Sequence, residues 1–181
     1  MNKTQDKVAV FIDAANFEIS LKSSGLWADY KKLLQFVKGY GEPVILRYYS
    51  PRFQTKGQDR FFTFIKKLGF KIVTKSIKVI RNAKTNKNKA NFDVEIAFDC
   101  AVNIGKFNEL ILLSGDSDFV YLVEQLQKKG VYTIVVSPGW RTAKELRKQA
   151  DSFIELKDCE FVKKRPPKGG AHNNLTIAKK V

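Results

Sequence analysis

The sequence predicts a three-layer α/β domain: a doubly wound, mainly parallel sheet with helices on both faces. Three observations lead there. Val8 to Ile12 and Leu110 to Leu113 are uninterrupted apolar runs, the habit of strands buried on both faces in a parallel sheet. Each run ends in a polar elbow, Asp13-Ala14-Ala15-Asn16 and Ser114-Gly115-Asp116-Ser117-Asp118, after which apolar residues follow. Strand and helix patterns then alternate along the chain, which implies right-handed crossovers within one sheet.

The elements follow in order. Phe17, Ile19 and Leu21 form a short helical or irregular stretch that Ser23-Ser24-Gly25 ends. Asp29 is placed to cap a helix carrying Leu33, Leu34, Phe36 and Val37, stopped by Gly39 and Gly41. Pro43 to Tyr49 reads as a strand broken by Ser50-Pro51, and Phe61, Phe62, Phe64, Ile65 and Leu68 as the apolar face of a helix ending at Gly69. Lys71 to Thr74 is a short strand. Arg81 to Lys89 has no apolar period and reads as a mobile basic loop. A helix opens at Asp93 with Val94, Ile96, Ala97, Cys100 and Ala101 on its apolar side. After the second elbow, Val120, Leu122, Val123 and Leu126 recur at helical spacing and Gly130 closes that helix. Val131 to Val136 is a buried strand, Ala143, Leu146 and Ala150 belong to a last short helix, and Phe153 to Leu156 adds an edge strand. Residues 1–160 are therefore expected to form the domain, and residues 161–181 a flexible basic tail.

Composition narrows the function. Thirty-three basic residues against eighteen acidic give a net charge of +15, which points to a polyanionic partner, most simply nucleic acid. The segment 157–181 supplies +5 of that charge, so +10 remains on the rest of the chain. From Lys71 to Phe92 there are seven basic residues and no acidic one. The single histidine, His172, lies in the tail. That excludes a Ser-His-Asp triad, a histidine base or a zinc cluster in the domain. Cys100 and Cys159 are expected as reduced thiols of a cytoplasmic protein, with neither a signal peptide nor a membrane span in view.

Chemistry concentrates in the acidic residues. Asp13, Asp93, Asp116 and Asp118 come from three parts of the chain that the topology directs to the carboxyl edge of the sheet, where ligands bind in such folds. Several carboxylates without His or Cys make a hard oxygen site suited to Mg²⁺ or Mn²⁺. Such a site can activate water in line with a phosphodiester and neutralise charge on the leaving oxygen. The plain alternative is that these aspartates cap helices and meet lysines; for Asp13 that leaves Asn16, three positions on, unexplained. Asp93 could be cap and ligand both. Asp99 lies about 240° further round the helix from Asp93 and is assigned second-shell or structural work. Ser114 could bond a ligand or serve turn geometry alone. Competing acidic motifs fail: position 15 is Ala, not the second Asp of a haloacid-dehalogenase site. A Toprim site wants Glu where Asp13 stands, and no P-loop occurs.

Three blocks carry a family resemblance: Phe11-Ile12-Asp13-Ala14-Ala15-Asn16, Phe92-Asp93-Val94-Glu95-Ile96-Ala97-Phe98-Asp99 and Leu113-Ser114-Gly115-Asp116-Ser117-Asp118-Phe119. In order and spacing they resemble the signature blocks of the NYN domain, LabA-like and PIN-like, and Ala150 to Ile154 matches a later block. The chain departs from the family at Lys89-Ala90-Asn91-Phe92, where a Lys-Gly pair is frequent. The resemblance implies a PIN-like fold, a metal-dependent and usually RNA-directed nuclease, Asp13, Asp93, Asp116 and Asp118 as metal ligands, and Asn16 bonding near the metal or substrate.

The expected activity is that of a Mg²⁺- or Mn²⁺-dependent endoribonuclease, leaving a 5′-phosphate and a 3′-hydroxyl. Its partner is nucleic acid, most directly single-stranded or structured RNA; a homodimer stays open. Arg47, Lys78, Arg81, Lys84, Lys87, Lys89, Arg141 and Lys144 are candidate nucleic-acid contacts, and Trp140 and Tyr49 candidate stacking platforms. Two rivals remain: a nucleic-acid-binding module on the same fold without turnover, and a nuclease acting on DNA.

Overall fold

The structure is a computed structural model and describes residues 6–76, 78–82, 85–89 and 91–165. Strand β1 (Lys7–Asp13) sits in the middle of a six-stranded sheet. It is flanked by β3 (Glu42–Arg52) and then β4 (Lys71–Ser76) on one side. On the other side follow β7 (Glu109–Leu113), β8 (Tyr132–Ser137) and β9 (Ser152–Glu155). All five pairings are parallel.

Continuous burial explains the unalternating runs. Val8, Val10 and Ile12 pack into one layer with helices α1 (Ala14–Ser23), α2 (Tyr30–Lys38) and α3 (Lys56–Lys67). Ala9 and Phe11 point the other way, toward α4 (Asp93–Ala101), α5 (Val120–Lys128) and α6 (Lys144–Gln149). Each strand thus needs apolar residues at every position, not every second one. Asp29 caps α2, accepting from Lys31 N and Lys32 N at 3.0 and 3.3 Å. Gly69 at φ +94° and Gly130 at φ +78° end α3 and α5 in the left-handed region that other residues resist. No helix among the described residues is long and apolar enough to cross a membrane.

Four expectations need correction. Ser50-Pro51 does not break its strand: β3 runs on to Arg52, paired with β4 as far as Arg52↔Ser76. The pairing with β1 stops at Asp13↔Tyr49, so one side of β3 is open where the proline lacks its N–H. The stretch read as a basic loop is a two-stranded antiparallel ribbon, β5 (Lys78–Asn82) with β6 (Thr85–Lys89), in register from Lys78↔Lys89 to Asn82↔Thr85. Its strands are joined by backbone pairing in a sheet of their own, which needs no apolar period in the sequence. On α4, Ile96 and Cys100 are fully buried, whereas Val94 is 77% exposed. Val94 lies two residues, about 200°, from Ile96 and faces outward, and Ala101 is exposed as well.

The folded domain also runs past the expected boundary at residue 160, and residues 166–181 of the expected tail lie outside the described residues. Phe161 is fully buried against Phe36, with ring centroids 5.2 Å apart. Val162–Lys164 forms β10, antiparallel to β2 (Leu26–Ala28). Arg165 adds two bonds, from its N to Gly25 O at 2.9 Å and from Nε to Leu26 O at 2.8 Å. One large aromatic ring repays the ordering of this short segment.

Truncation should locate the boundary. A chain ending after Arg165 is expected to keep the wild-type thermal midpoint. Phe161→Ala in the full chain should lose about 3–5 kcal/mol, the usual range for emptying a buried phenylalanine site. Equal denaturant midpoints for Phe161→Ala and wild type would contradict this packing.

Candidate metal centre

The sheet order fixes where a site can form. From β1 the chain continues to β3 and β4 on one side, while β7, β8 and β9 extend the other. Parallel strands β1 and β7 are neighbours, so their following loops diverge and leave a crevice at the topological switch point. The register Ile12↔Leu113 brings Asp13 level with Ser114 on the next rung.

Asp13 is 7% exposed and holds the two loops together. Its Oδ1 caps α1, accepting from Ala15 N and Asn16 N at 3.1 and 3.3 Å. Its Oδ2 accepts from Ser114 Oγ at 3.3 Å, and the same Oγ accepts from Asp116 N. Burial raises its carboxyl above the ordinary range, the hydrogen bonds oppose that, and the charge of Asp116 adds to it. Asn16 returns the brace: its Oδ1 accepts from Gly115 N at 3.2 Å. Gly115 is dictated by space. A Cβ there would lie 2.6 Å from Ser137 Oγ and 2.8 Å from Arg141 O. Its carbonyl accepts from Ala143 N at 3.0 Å, so the segment after β8 is pressed against the turn.

Asp93, Asp116 and Asp118 each bring a carboxylate oxygen to a point where all three lie within 4.8 Å of one another. Asp116 Oδ1 also accepts from Asp118 N at 3.1 Å, capping the 3₁₀ turn Ser117–Phe119. Asp93 is not the cap of α4, as one reading had it. It is the first helical residue, the cap position is Phe92 with no side-chain bond, and Asp93 N donates to Asn91 Oδ1 at 2.7 Å. Asp93 Oδ2 is buried without a partner. Burial first, then the charges of Asp116, Asp13 and Asp118, push the Asp93 carboxyl up to about 6 against the lowering bond from Asn91. The helix N-terminus is a favourable place for that charge, yet it does not cancel three neighbouring carboxylates. A cation or a proton completes the arrangement.

The structure thus gathers Asp93, Asp116 and Asp118, with Asp13 beside them but its oxygens outside the closest group. Asn16 and Ser114 brace the crevice. Among the basic candidates, Arg47 is 16% exposed and turned to Asp99, Nε to Oδ2 3.9 Å. Asp99 also accepts from Tyr49 OH at 2.7 Å, so it anchors α4 to β3. Tyr49 is fully buried and stacked 6.0 Å from Phe11, which removes it as a base-stacking platform: strand-end position had concealed a core residue. Trp140 is 66% exposed with the Arg141 guanidinium 5.9 Å from its ring, and Lys144 is exposed; all three adjoin the segment packed on Gly115. Lys78 and Arg81 lie on β5 and Lys87 and Lys89 on β6, with Lys78 paired to Lys89 and Arg81 to Asn86. Lys84 lies outside the described residues. Lys75, which the sequence did not single out, donates from Nζ to Asn91 O at 2.8 Å. Nothing in sequence distinguishes it from its many basic neighbours.

The fold and site together define a three-layer α/β domain with an oxygen-only acidic cluster at the switch point of its parallel sheet. The chain belongs to the NYN domain family, which it matches over residues 7–157. It is similar to the low amplitude and bright protein LabA of Synechococcus elongatus, 29% identical over 165 residues, or 87% of this chain and 88% of that one. A crystal structure of a protein of unknown function from Vibrio parahaemolyticus shares the fold, with a TM-score of 0.77 at 24% identity, covering 90% of this chain and 99% of that chain.

The raised Asp93 carboxyl sets a pH dependence. An acid with a folded pKa above its ordinary 3.8 contributes stability that is fully present below that value and lost as pH rises through about 6. In metal-free buffer, Asp93→Asn should therefore gain on the wild type as pH rises across this window and match it most closely at the acid end. Denaturation at several pH values measures the difference; a constant offset would refute the coupling.

Proposed function

We propose that this domain is a Mg²⁺- or Mn²⁺-dependent ribonuclease. The observation that carries the reading is the meeting of Asp93, Asp116 and Asp118 within 4.8 Å, with Asp93 Oδ2 buried and unpaired, inside a chain of net charge +15. The donor set fits a hard divalent cation: all oxygen, with one carboxylate exposed toward solvent. Asp93, Asp116 and Asp118 would hold the ion, with Asp13 adding charge alongside. When bound, such an ion supplies charge neutralisation and a lowered pKa for water at the scissile phosphodiester.

The chain's own residues do the remainder. Asp13, Ser114 and Asn16 fix the two loops, so the carboxylates need not reorganise during the reaction. The lysines of the ribbon, with Arg141 and Lys144, neutralise backbone phosphates. Trp140 offers an exposed ring to an unpaired base. Unpaired bases favour a single-stranded stretch of RNA as substrate. Phosphate contacts alone do not tell ribose from deoxyribose, so DNA is the control that must be run.

The decisive measurement is Asp116→Asn. Asparagine keeps the cap on Asp118 N and removes one charge. Wild type should gain stability with Mn²⁺ by mass action, about 2.7 kcal/mol at a concentration of 100 Kd. The variant should lose that response, equal or exceed the wild type in EDTA, and cleave labelled RNA about 100-fold more slowly, roughly 2.7 kcal/mol in barrier. RNA binding should persist. A wild type that melts identically with and without millimolar Mn²⁺ and cleaves nothing leaves the binding-module reading in place.

The ribbon has its own test. Replacing Arg81, Lys84, Lys87 and Lys89 by alanine should weaken single-stranded RNA binding and flatten log Kd against log salt by about 0.7 per lost phosphate contact. An unchanged slope would show that the ribbon stays clear of the RNA.

A further inference from the structure

Lys75, near the end of β4, is outside the acidic cluster, yet its ammonium gathers the start of α4 from three directions. Nζ donates to the Asn91 carbonyl at 2.8 Å, pairs with Glu95 Oε1, and lies 5.2 Å from the centroid of the Phe92 ring. Phe92 is 2% exposed and packs 6.1 Å from Tyr49, so the ring beneath the ammonium is itself fixed in the core. These three partners, Asn91, Phe92 and Glu95, bracket Asp93. The other oxygen of Glu95, Oε2, is buried with no partner, which leaves that carboxylate dependent on Lys75.

Two features make this clasp consequential. Phe92 offers no capping side chain to α4; its first turn is held instead by Asn91, whose Oδ1 accepts from Asp93 N at 2.7 Å and whose carbonyl is in turn held by Lys75. The chain also leaves at Ser76 to form the β5–β6 ribbon and returns at Asn91. Lys75 and Asn91 are thus the two ends of a long excursion, and their bond closes its base. An excursion of that length carries an entropic cost for holding its ends together, and its return end bears Asp93.

We propose that Lys75 is a positioning residue of the metal centre: it clasps the first turn of α4 so that the Asp93 carboxylate meets those of Asp116 and Asp118. The proposal rests on the metal-site reading above and names the residue that sets its geometry. A simpler role, offsetting acidic charge, makes the opposite prediction. A cation beside the site repels a divalent ion, so its removal through charge alone would tighten Mn²⁺ binding. Removal of a clasp loosens it.

Calorimetric titration of the full chain with Mn²⁺ reads the sign. Lys75→Met keeps the aliphatic stem over Phe92 and should bind Mn²⁺ about 10-fold more weakly, the lower end of the effect of residues that orient metal ligands. Lys75→Arg, able to donate to both Asn91 O and Glu95, should recover most of the loss. Affinity for a single-stranded RNA oligonucleotide in EDTA should change by no more than one phosphate contact, a change in salt slope of about 1 or less. Should Lys75→Met fail to fold, Lys75→Met/Glu95→Met replaces the pair by apolar groups, which is often tolerated. That double variant leaves net charge unchanged, so weaker Mn²⁺ binding in it supports the clasp and unchanged binding overturns it. Equal or tighter binding in Lys75→Met overturns the proposal while the wild-type titration stands. A wild type that takes up no Mn²⁺ removes the metal site itself, and the proposal with it.

Discussion

Repulsion among like charges is the constraint under which the carboxyl edge of this sheet is built. Carboxylate oxygens no more than 4.8 Å apart repel by about 3 kcal/mol or more per pair at the effective dielectric of a protein surface. The fold answers this unevenly. Asp13 is surrounded by donors, two amides and a hydroxyl. Asp116 is partly satisfied by the amide of Asp118, and Asp118 itself stands in solvent. Asp93 receives the remainder: one oxygen buried and unpaired, and a carboxyl pushed up to about 6. Within the buried part of the cluster, the Asp93 oxygen is thus the group left without a partner, and a cation would supply one.

Holding that arrangement requires a rigid support, and the parallel sheet supplies it. The central strand β1 is fully buried from Val8 to Ile12 and packed from both layers, so the Cα of Asp13 has little room to yield. The turn after β7 is fixed by the Asn16 brace and by contact so close that only glycine fits at position 115. Both of these walls are thus tied into regular structure. The start of α4 enters after the β5–β6 excursion and is held by side chains, Asn91 Oδ1 accepting from Asp93 N and Lys75 of β4 donating to Asn91 O.

What could be read in the sequence follows from the same physics. Val8 to Ile12 and Leu110 to Leu113 announced the central strands because two-sided burial leaves no polar position. Asp13 and the Asp116–Asp118 pair stood out because acidic elbows after such strands fall at the switch point. Three features were hidden. Tyr49 looked like a rim aromatic, but β3 continues past it and encloses it. The ribbon was missed because backbone pairing leaves no mark in a stretch without an apolar period. Phe161 stands just ahead of the basic run Lys163-Lys164-Arg165, and a single ring carries no pattern. The roles of Ser114, Asn16 and Lys75 depend on partners distant in sequence, about a hundred residues for the first two, and no local signal encodes such a pairing.

The contrast between a net charge of +15 and a centre of carboxylates divides recognition by distance. Screening in physiological salt limits any exposed charge to about 8 Å, so under the proposed function an approaching polyanion would answer first to the basic residues, whatever occupies the centre. Only within the last few ångströms does it meet Asp93, Asp116 and Asp118, which repel a phosphate unless a cation intervenes. Affinity and chemistry are thereby assigned to different residues. On that reading, binding would rest on basic side chains whose phosphate contacts carry no sequence information, whereas the approach of a single phosphodiester to the carboxylates would rest on a few fixed atoms. Under the proposed function, such a domain would hold a polyanion without metal but bring a phosphate to the acidic centre only with it, and the unpaired oxygen of Asp93 is the observation that motivates this requirement.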